Sequence, residues 1–391
     1  MQLESLSLAW YVLELTGSPF LTGLITSARQ AATILGVYSG AVSDRVSRRG
    51  IIIGMQALSA GTVGVIILLI LTRNIAVWHV FAGAVVVGVG RIFDNPARQA
   101  LVADSAPQGR VSNAVALNNT SRNIMQAVSP IIGGVIFAAF GPVGSYTALF
   151  LFSFFNVITM LFVRVSETQQ IPATAESIWK SMLGGVGYVR RKPVILALLL
   201  LAGVANLTGF PFGYAILPVY AKDVVNAGPT GLGFMLSGVG IGALVGSLLV
   251  AAISSTRRLG MVSVVGLVAW HVLTLAVVFS PSVYIAFAFM IVVGIAQSLS
   301  LVTIAAVLLS TTEQAYRGRI MGLRSLAVYP LPLGSMVTGA MVGWVGIYNA
   351  TVFNLVVGAA LVGLTVLLIP GVWRPMGADA KEPEKAKQTA S

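Results

Sequence analysis

The stretch from Ser39 to Gly50 places four ionised residues, Asp44, Arg45, Arg48 and Arg49, between two long apolar runs. Only 9% of the chain is charged. A turn this polar must leave whatever apolar medium surrounds the runs on either side, because ionised groups are costly inside a bilayer. A weaker copy, Ser254 to Gly260 with Arg257 and Arg258, lies in the second half.

The composition agrees with that constraint. The 391 residues are 57% hydrophobic and include 42 glycines. A surface facing water needs more charge than this, whereas abundant small residues suit helices packed closely in lipid. The expected class is an all-α polytopic membrane protein. The absence of cysteine excludes disulfides, thiolate metal sites and cysteine nucleophiles. No cofactor is expected, and no metal site. The net charge of +12 is carried by short turns between apolar runs, which fits anionic headgroups and topology rather than nucleic acid.

The apolar runs give twelve expected spans. The first, Leu3 to Leu15, would cover only about 20 Å of a hydrocarbon core about 30 Å thick. The start of span 1 is therefore expected to be missing, through an upstream start codon or a truncated product. Spans 2 to 6 follow at 20–42, 51–71, 77–96, 112–141 and 143–163, and spans 7 to 12 at 193–220, 232–253, 261–279, 283–309, 320–345 and 348–368. The expected organisation is a first bundle over 1–164, a linker over 165–192, a second bundle over 193–373 and a disordered tail over 374–391. Within the linker, Ile178, Trp179, Met182, Val186 and Val189 recur at helical spacing among Lys180, Arg190 and Arg191, the pattern of a helix lying on a membrane surface.

Lys and Arg alternate cleanly between turns. One set holds Arg45, Arg48, Arg49, Arg98, Arg110, Lys180, Arg190, Arg191, Lys192, Arg257, Arg258, Arg317 and Arg319, and the other only Arg73 and Lys222. The positive-inside rule makes the basic turns and both termini cytoplasmic. The expected location is the plasma membrane, crossed many times.

The halves also match in register. Arg48-Arg49 and Arg257-Arg258 lie 209 residues apart, as do Gly109-Arg110 and Gly318-Arg319. Pro19 to Leu24 resembles Pro229 to Leu232 with a small gap. Two like-oriented six-span units with a path between them are the arrangement of many secondary transporters.

Ser39-Gly40 through Asp44-Arg45 and Arg48-Arg49 resemble the cytoplasmic signature between spans 2 and 3 of the major facilitator superfamily. Trp10 to Pro19, Arg91 to Ala100 and Asn113 to Asn118 resemble its export branch of enterobactin, macrolide and other multidrug exporters. Ser129-Pro130-Ile131-Ile132-Gly133-Gly134 matches the end of the antiporter signature of span 5, with Met125 where a glycine is expected. Ser47 replaces the late glycine of the first signature. The resemblance implies a major facilitator fold and a drug:proton antiporter. It also implies a latch in which Asp44 faces the N-terminal end of span 11 and the turn arginines Arg45, Arg48 and Arg49 reach Asp94. Read from the residues alone, Asp44 is equally a solvated carboxylate neutralising three arginines, and Arg91, Asp94 and Arg98, at helical spacing, are either a structural ion-pair network or direct substrate contacts.

Glu4, Arg29, Arg122 and His271 fall near the bilayer centre, where ionisable groups are functional candidates. Glu4 is the only carboxylate at that depth, so it is the candidate proton carrier, or else a fixed partner for Arg29 or Arg122. His271 is either a second proton-coupling group or a hydrogen-bonded structural histidine. Asn118, Arg122 and Gln126 share one face of span 5, and with Arg29, Asn206 and Gln297 they are the substrate-cavity candidates.

These features together point to a secondary active exporter of a small, amphipathic drug, siderophore or metabolite. It would work by alternating access with protons as coupling partner, in the bilayer, as a monomer. The alternatives are a metabolite uniporter or importer, and a non-transporting receptor or scaffold. With only two histidines, far apart in sequence, a membrane enzyme has little to build from.

Overall fold

A computed structural model describes residues 2–31, 47–106, 110–163, 186–253 and 258–373. The charged turn with Asp44 and Arg45, the echo arginine Arg257, most of the linker and the tail lie outside these residues.

Among the described residues the chain is helical throughout. The helices are α1 (Gln2–Thr16), α2 (Pro19–Ala31), α3 (Arg48–Leu71), α4 (Val77–Asp104), α5 (Val111–Phe162), α6 (Pro193–Val204), α7 (Gly228–Ala252), α8 (Leu259–Val278), α9 (Val283–Thr311), α10 (Arg317–Leu326) and α11 (Pro330–Leu368). Eight stretches of the described residues are long and apolar enough to cross a membrane. The 52 residues of α5 would reach about 78 Å if straight, more than twice the hydrocarbon thickness. The helix breaks at Gly141 (φ 62°), and α11 breaks likewise at Gly346 (φ 82°). Only glycine adopts those angles without a Cβ penalty. Each is thus two helical legs joined at one residue.

Three elements depart from the sequence expectation. The first is α4, which does not stop at Pro96 but continues to Asp104. Its extra turns are held by the Asp94–Arg98 pair and by Ala97 and Leu101, which bury against Ile51 and Ile52 of α3. Span 7 stops being a regular α-helix at Val204. It continues in wide turns whose N–H groups reach back five residues, Phe210 to Ala205, Leu217 to Phe212 and Val225 to Tyr220. Pro211 and Pro218 explain this, since each lacks an N–H and crowds the carbonyl four residues back. Third, the stretch expected as span 11 is interrupted between α10 and α11, ahead of Pro330 and Pro332.

Two crossings join the first half of the chain to the second, and they are copies of each other. In one, α2 packs on α11: a Cβ on Gly23 would strike the Ser335 carbonyl, and one on Gly339 would lie 2.6 Å from the Pro19 oxygen. In the other, α7 packs on α5: a Cβ on Gly233 would strike the Pro130 carbonyl, and one on Gly134 would lie 2.5 Å from the Pro229 oxygen. Pro19 and Gly23 thus correspond to Pro229 and Gly233, and Pro130 and Gly134 to Ser335 and Gly339. In such crossings the backbones touch, and packing rather than water exclusion holds the helices. Farther along, Gly240 meets the Gln126 carbonyl, which Pro130 leaves without its helical donor.

Candidate functional site: a central cavity beside a buried carboxylate

Glu4, in the first turn of α1, is only 12% exposed. Its Oε2 lies 3.5 Å from Nη1 of Arg91 on α4, and its Oε1 lies 4.0 Å from Nη1 of Arg29 on α2. Arg29 is 6% exposed and Arg91 26%. One carboxylate therefore serves two guanidiniums from two other helices. Breaking such a pair leaves a buried charge uncompensated, at a cost of about 3–5 kcal/mol when burial is complete.

A cavity of about 360 Å³ lies on the other side of α1, lined there by Ser5, Leu6 and Ala9. Opposite stand side chains of the second half. Phe210 and Trp270 meet edge to face with centroids 5.1 Å apart, and Gly209 leaves the room that the indole occupies. Asn123, Gln126 and Gln297 supply amide groups. Among the described residues the lining holds no Asp, Glu, Lys, Arg or His. Apolar and aromatic walls with a few convergent polar groups are the usual make-up of a small-molecule site. Tyr214, also in the wall, is close enough to Arg91 to interact electrostatically, so cavity and charge cluster adjoin.

The sequence candidates separate into groups. Gln126 and Gln297 line the cavity, while Arg29 joins the charge cluster. Arg122 is exposed, Asn118 is half-buried, and neither lines the cavity. The described partners of Glu4 are Arg29 and Arg91; Arg122 is not one of them. Asn206 is buried and donates to the Ala202 carbonyl at 2.8 Å, away from the cavity. His271 is buried with both ring nitrogens engaged, Nδ1 at 2.8 Å from the Leu267 carbonyl and Nε2 at 2.8 Å from Thr208 Oγ1.

The latch candidates also divide. Arg48 pairs with Asp104, and Arg49 donates to the carbonyls of Met160 and Leu161 at 2.9 and 2.7 Å, capping the end of α5. Asp94 is held instead by Arg98 of its own helix at 3.0 Å, and Arg98 extends to Asn156. The described turn arginines therefore do not reach Asp94, because Asp104 and the free carbonyls of α5 lie nearer. Asp44 and Arg45 fall outside the described residues. Sequence reading missed Ser5, Asn123, Tyr214, Phe210 and Trp270 as cavity residues and Arg91 as a partner of Glu4. Aromatics in an apolar span look alike whether they face lipid or a cavity.

Residues 2–388 match the family model described as transmembrane secretion effector. The chain belongs to this family of the major facilitator superfamily. It is similar to the multidrug efflux pump Tap of Mycolicibacterium fortuitum, 25% identical over 372 residues, covering 92% of this chain and 90% of Tap. Macrolide efflux protein A of Enterococcus faecalis is 21% identical over 226 residues, covering 58% of this chain and 70% of that protein. Among solved structures, a bacterial homologue of the human lysosomal transporter Spinster superposes with a TM-score of 0.74 at 13% identity, covering 96% of each chain, which shows a shared fold. The family is one of membrane transporters, so a small-molecule cargo and a membrane-embedded chain follow from membership.

Proposed function

We propose that this protein exports a small amphipathic molecule across the plasma membrane by alternating access, driven by proton entry through Glu4. The carrying observation is the placement of an aromatic-walled cavity, uncharged among the described residues, between the two halves of the chain, with a buried carboxylate held by Arg29 and Arg91 across α1 from it. Protonation would neutralise Glu4 and release two cations behind the cavity wall, a change large enough to favour one arrangement of the halves over another. The efflux activity of the named relatives supports the export direction.

In this reading the chain has twelve spans in two six-helix bundles over 1–164 and 193–373, with both termini cytoplasmic. The two glycine crossings near Pro19 and Pro229 then lie at the outer ends of the bundles. Apart from Leu232 at the crossing itself, the cavity is lined along α7 from Leu236 to Ser247, on the cytoplasmic side of Gly233, which supports an inward-facing state. Asp44, Arg45, Arg48, Arg49, Asp94 and Arg98 would brace the opposite, cytoplasmic side when the outer side opens. A monomer suffices, because one chain encloses the cavity.

The test is uptake of ethidium into inverted membrane vesicles under an imposed proton gradient. Uptake that stops when a protonophore collapses the gradient is the expected result. Uptake at an unchanged rate after collapse would replace the proton-driven exporter by a uniporter.

A further inference from the structure

The face of α1 turned away from the cavity is polar, buried and short of hydrogen-bond partners. Ser5, Leu6 and Ala9 face the cavity. Glu4, Ser7, Tyr11 and Glu14 stand at i, i+3, i+7 and i+10, and at 3.6 residues per turn they share the opposite face of the helix. Ser7 is fully buried and Tyr11 nearly so, while Glu14 is exposed at the far end. Tyr146, on the second leg of α5, packs against this stripe with its ring edge to Tyr11 at 6.0 Å, and is 2% exposed. Its hydroxyl is close enough to Glu4 and Tyr11 to interact electrostatically with both.

Three oxygens along this face, Glu4 Oε1, Ser7 Oγ and Tyr146 OH, are buried with no hydrogen-bond partner among the described residues. Buried polar groups are almost always satisfied, and those that protein atoms leave unpaired are typically served by internal water. Three such oxygens beside one helix, leading from an exposed carboxylate to a buried one over about 15 Å, define a path rather than a packing fault.

We propose that this face is a water-threaded proton route running from Glu14 past Tyr11, Tyr146 and Ser7 to Glu4, so that proton and substrate use opposite faces of α1. The inference rests on Glu4 being the proton carrier. Each hydroxyl along the route gives up one proton and takes one back, so the net change is one proton added to Glu4 Oε1. Among the described residues, the charged and titratable groups facing Glu4 are Arg29 from α2, Arg91 from α4 and Tyr146 from α5, and Glu14 faces Tyr11. At the far end Lys222 donates to the Leu13 carbonyl at 3.2 Å, tying the second half to this end of α1. The separation explains how a cavity whose described wall carries no ionised side chain is coupled to protons: α1 is the partition between the two paths.

The experiment is time-resolved infrared spectroscopy of the full chain in lipid nanodiscs after a drop in pH. The protonated-carboxyl band is assigned to Glu4 by its loss in Glu4→Gln. In Tyr11→Phe/Tyr146→Phe, and separately in Ser7→Ala, the band is expected to rise at least about tenfold more slowly, in line with loss of positioned proton-transfer groups. Its final amplitude and midpoint pH should stay where they are, because a route sets rate and not equilibrium. Ser7→Ala removes a single oxygen and carries the test if the double variant does not fold. An unchanged rate in the variants overturns the route while leaving Glu4 as carrier. A slowed rise accompanied by a shifted midpoint overturns it in favour of a structural role. A wild-type protein with no such band removes the carrier, and the route with it.

Discussion

Glu4 and Arg91, 87 residues apart in sequence, meet at 3.5 Å in the interior of the first half of the chain. Arg29 approaches the same carboxylate from a third helix, so α1, α2 and α4 are tied at one point beside the cavity. Removing the carboxylate strands two guanidiniums. Glu4→Gln is expected to abolish proton-driven ethidium uptake and to lower thermal stability in detergent, by less than the about 3–5 kcal/mol of a fully dry pair because Arg91 keeps some exposure. Glu4→Gln/Arg91→Gln should recover part of the lost stability and none of the uptake. Full recovery of uptake in the double variant would assign the pair a purely structural role.

The crossing of α7 and α5 leaves no room at Gly233. Gly233→Ala drives a methyl group onto the Pro130 carbonyl, and α7 must move away. Overpacking of this kind costs about 1–3 kcal/mol. A cysteine-labelled pair across the crossing should report wider distances by electron spin resonance, with slower uptake. Gly54→Ala meets nothing within 4 Å and serves as the neutral comparison. Equal distances in both variants would show that the crossing is not under compression.

Trp270 and Phe210 form the aromatic wall. Trp270→Ala is expected to raise the KM for ethidium up to about tenfold, since an aromatic contact is worth about 0.5–1.5 kcal/mol beyond its area. Trp270→Phe should keep most of the affinity. A KM unmoved by Trp270→Ala would place the cargo elsewhere.

His271 faces Thr208, the Leu267 carbonyl and Gly358, with no charged group among its described contacts. His271→Gln is expected to leave the pH profile of uptake in place and to cost about 1–3 kcal/mol of stability through imperfectly paired partners. A profile displaced along the pH axis would return His271 to the proton pathway.

The Arg48–Asp104 pair sits at partly exposed side chains, 35% and 26% accessible. Asp104→Asn should therefore shift stability by no more than about 1 kcal/mol, measured by thermal unfolding in detergent. A larger loss would mean that the pair braces the ends of α3 and α4 more strongly than its exposure allows.

Local pattern carried much of this protein. Apolar runs broken by charged turns marked the helices, because a bilayer must be crossed by segments that satisfy their own backbone. The ionisable residues near the bilayer centre stood out by their cost in lipid, so Glu4 and Arg29 were legible as candidates before any fold was known. The basic turns recur at a spacing of 209 residues. What the tertiary structure decided was pairing. Nothing in the order of residues says that Arg91 rather than Arg122 reaches Glu4, since that depends on which helices become neighbours. The two glycine crossings match only when Pro130 is set against Ser335, one helical turn away from the register of the basic turns, and contact alone reveals it. The faces of α1 are written in its sequence through the period of 3.6. Which face meets a cavity and which meets Tyr146 was settled by packing, because an α-helix fixes the angle between its own side chains but not what stands opposite them.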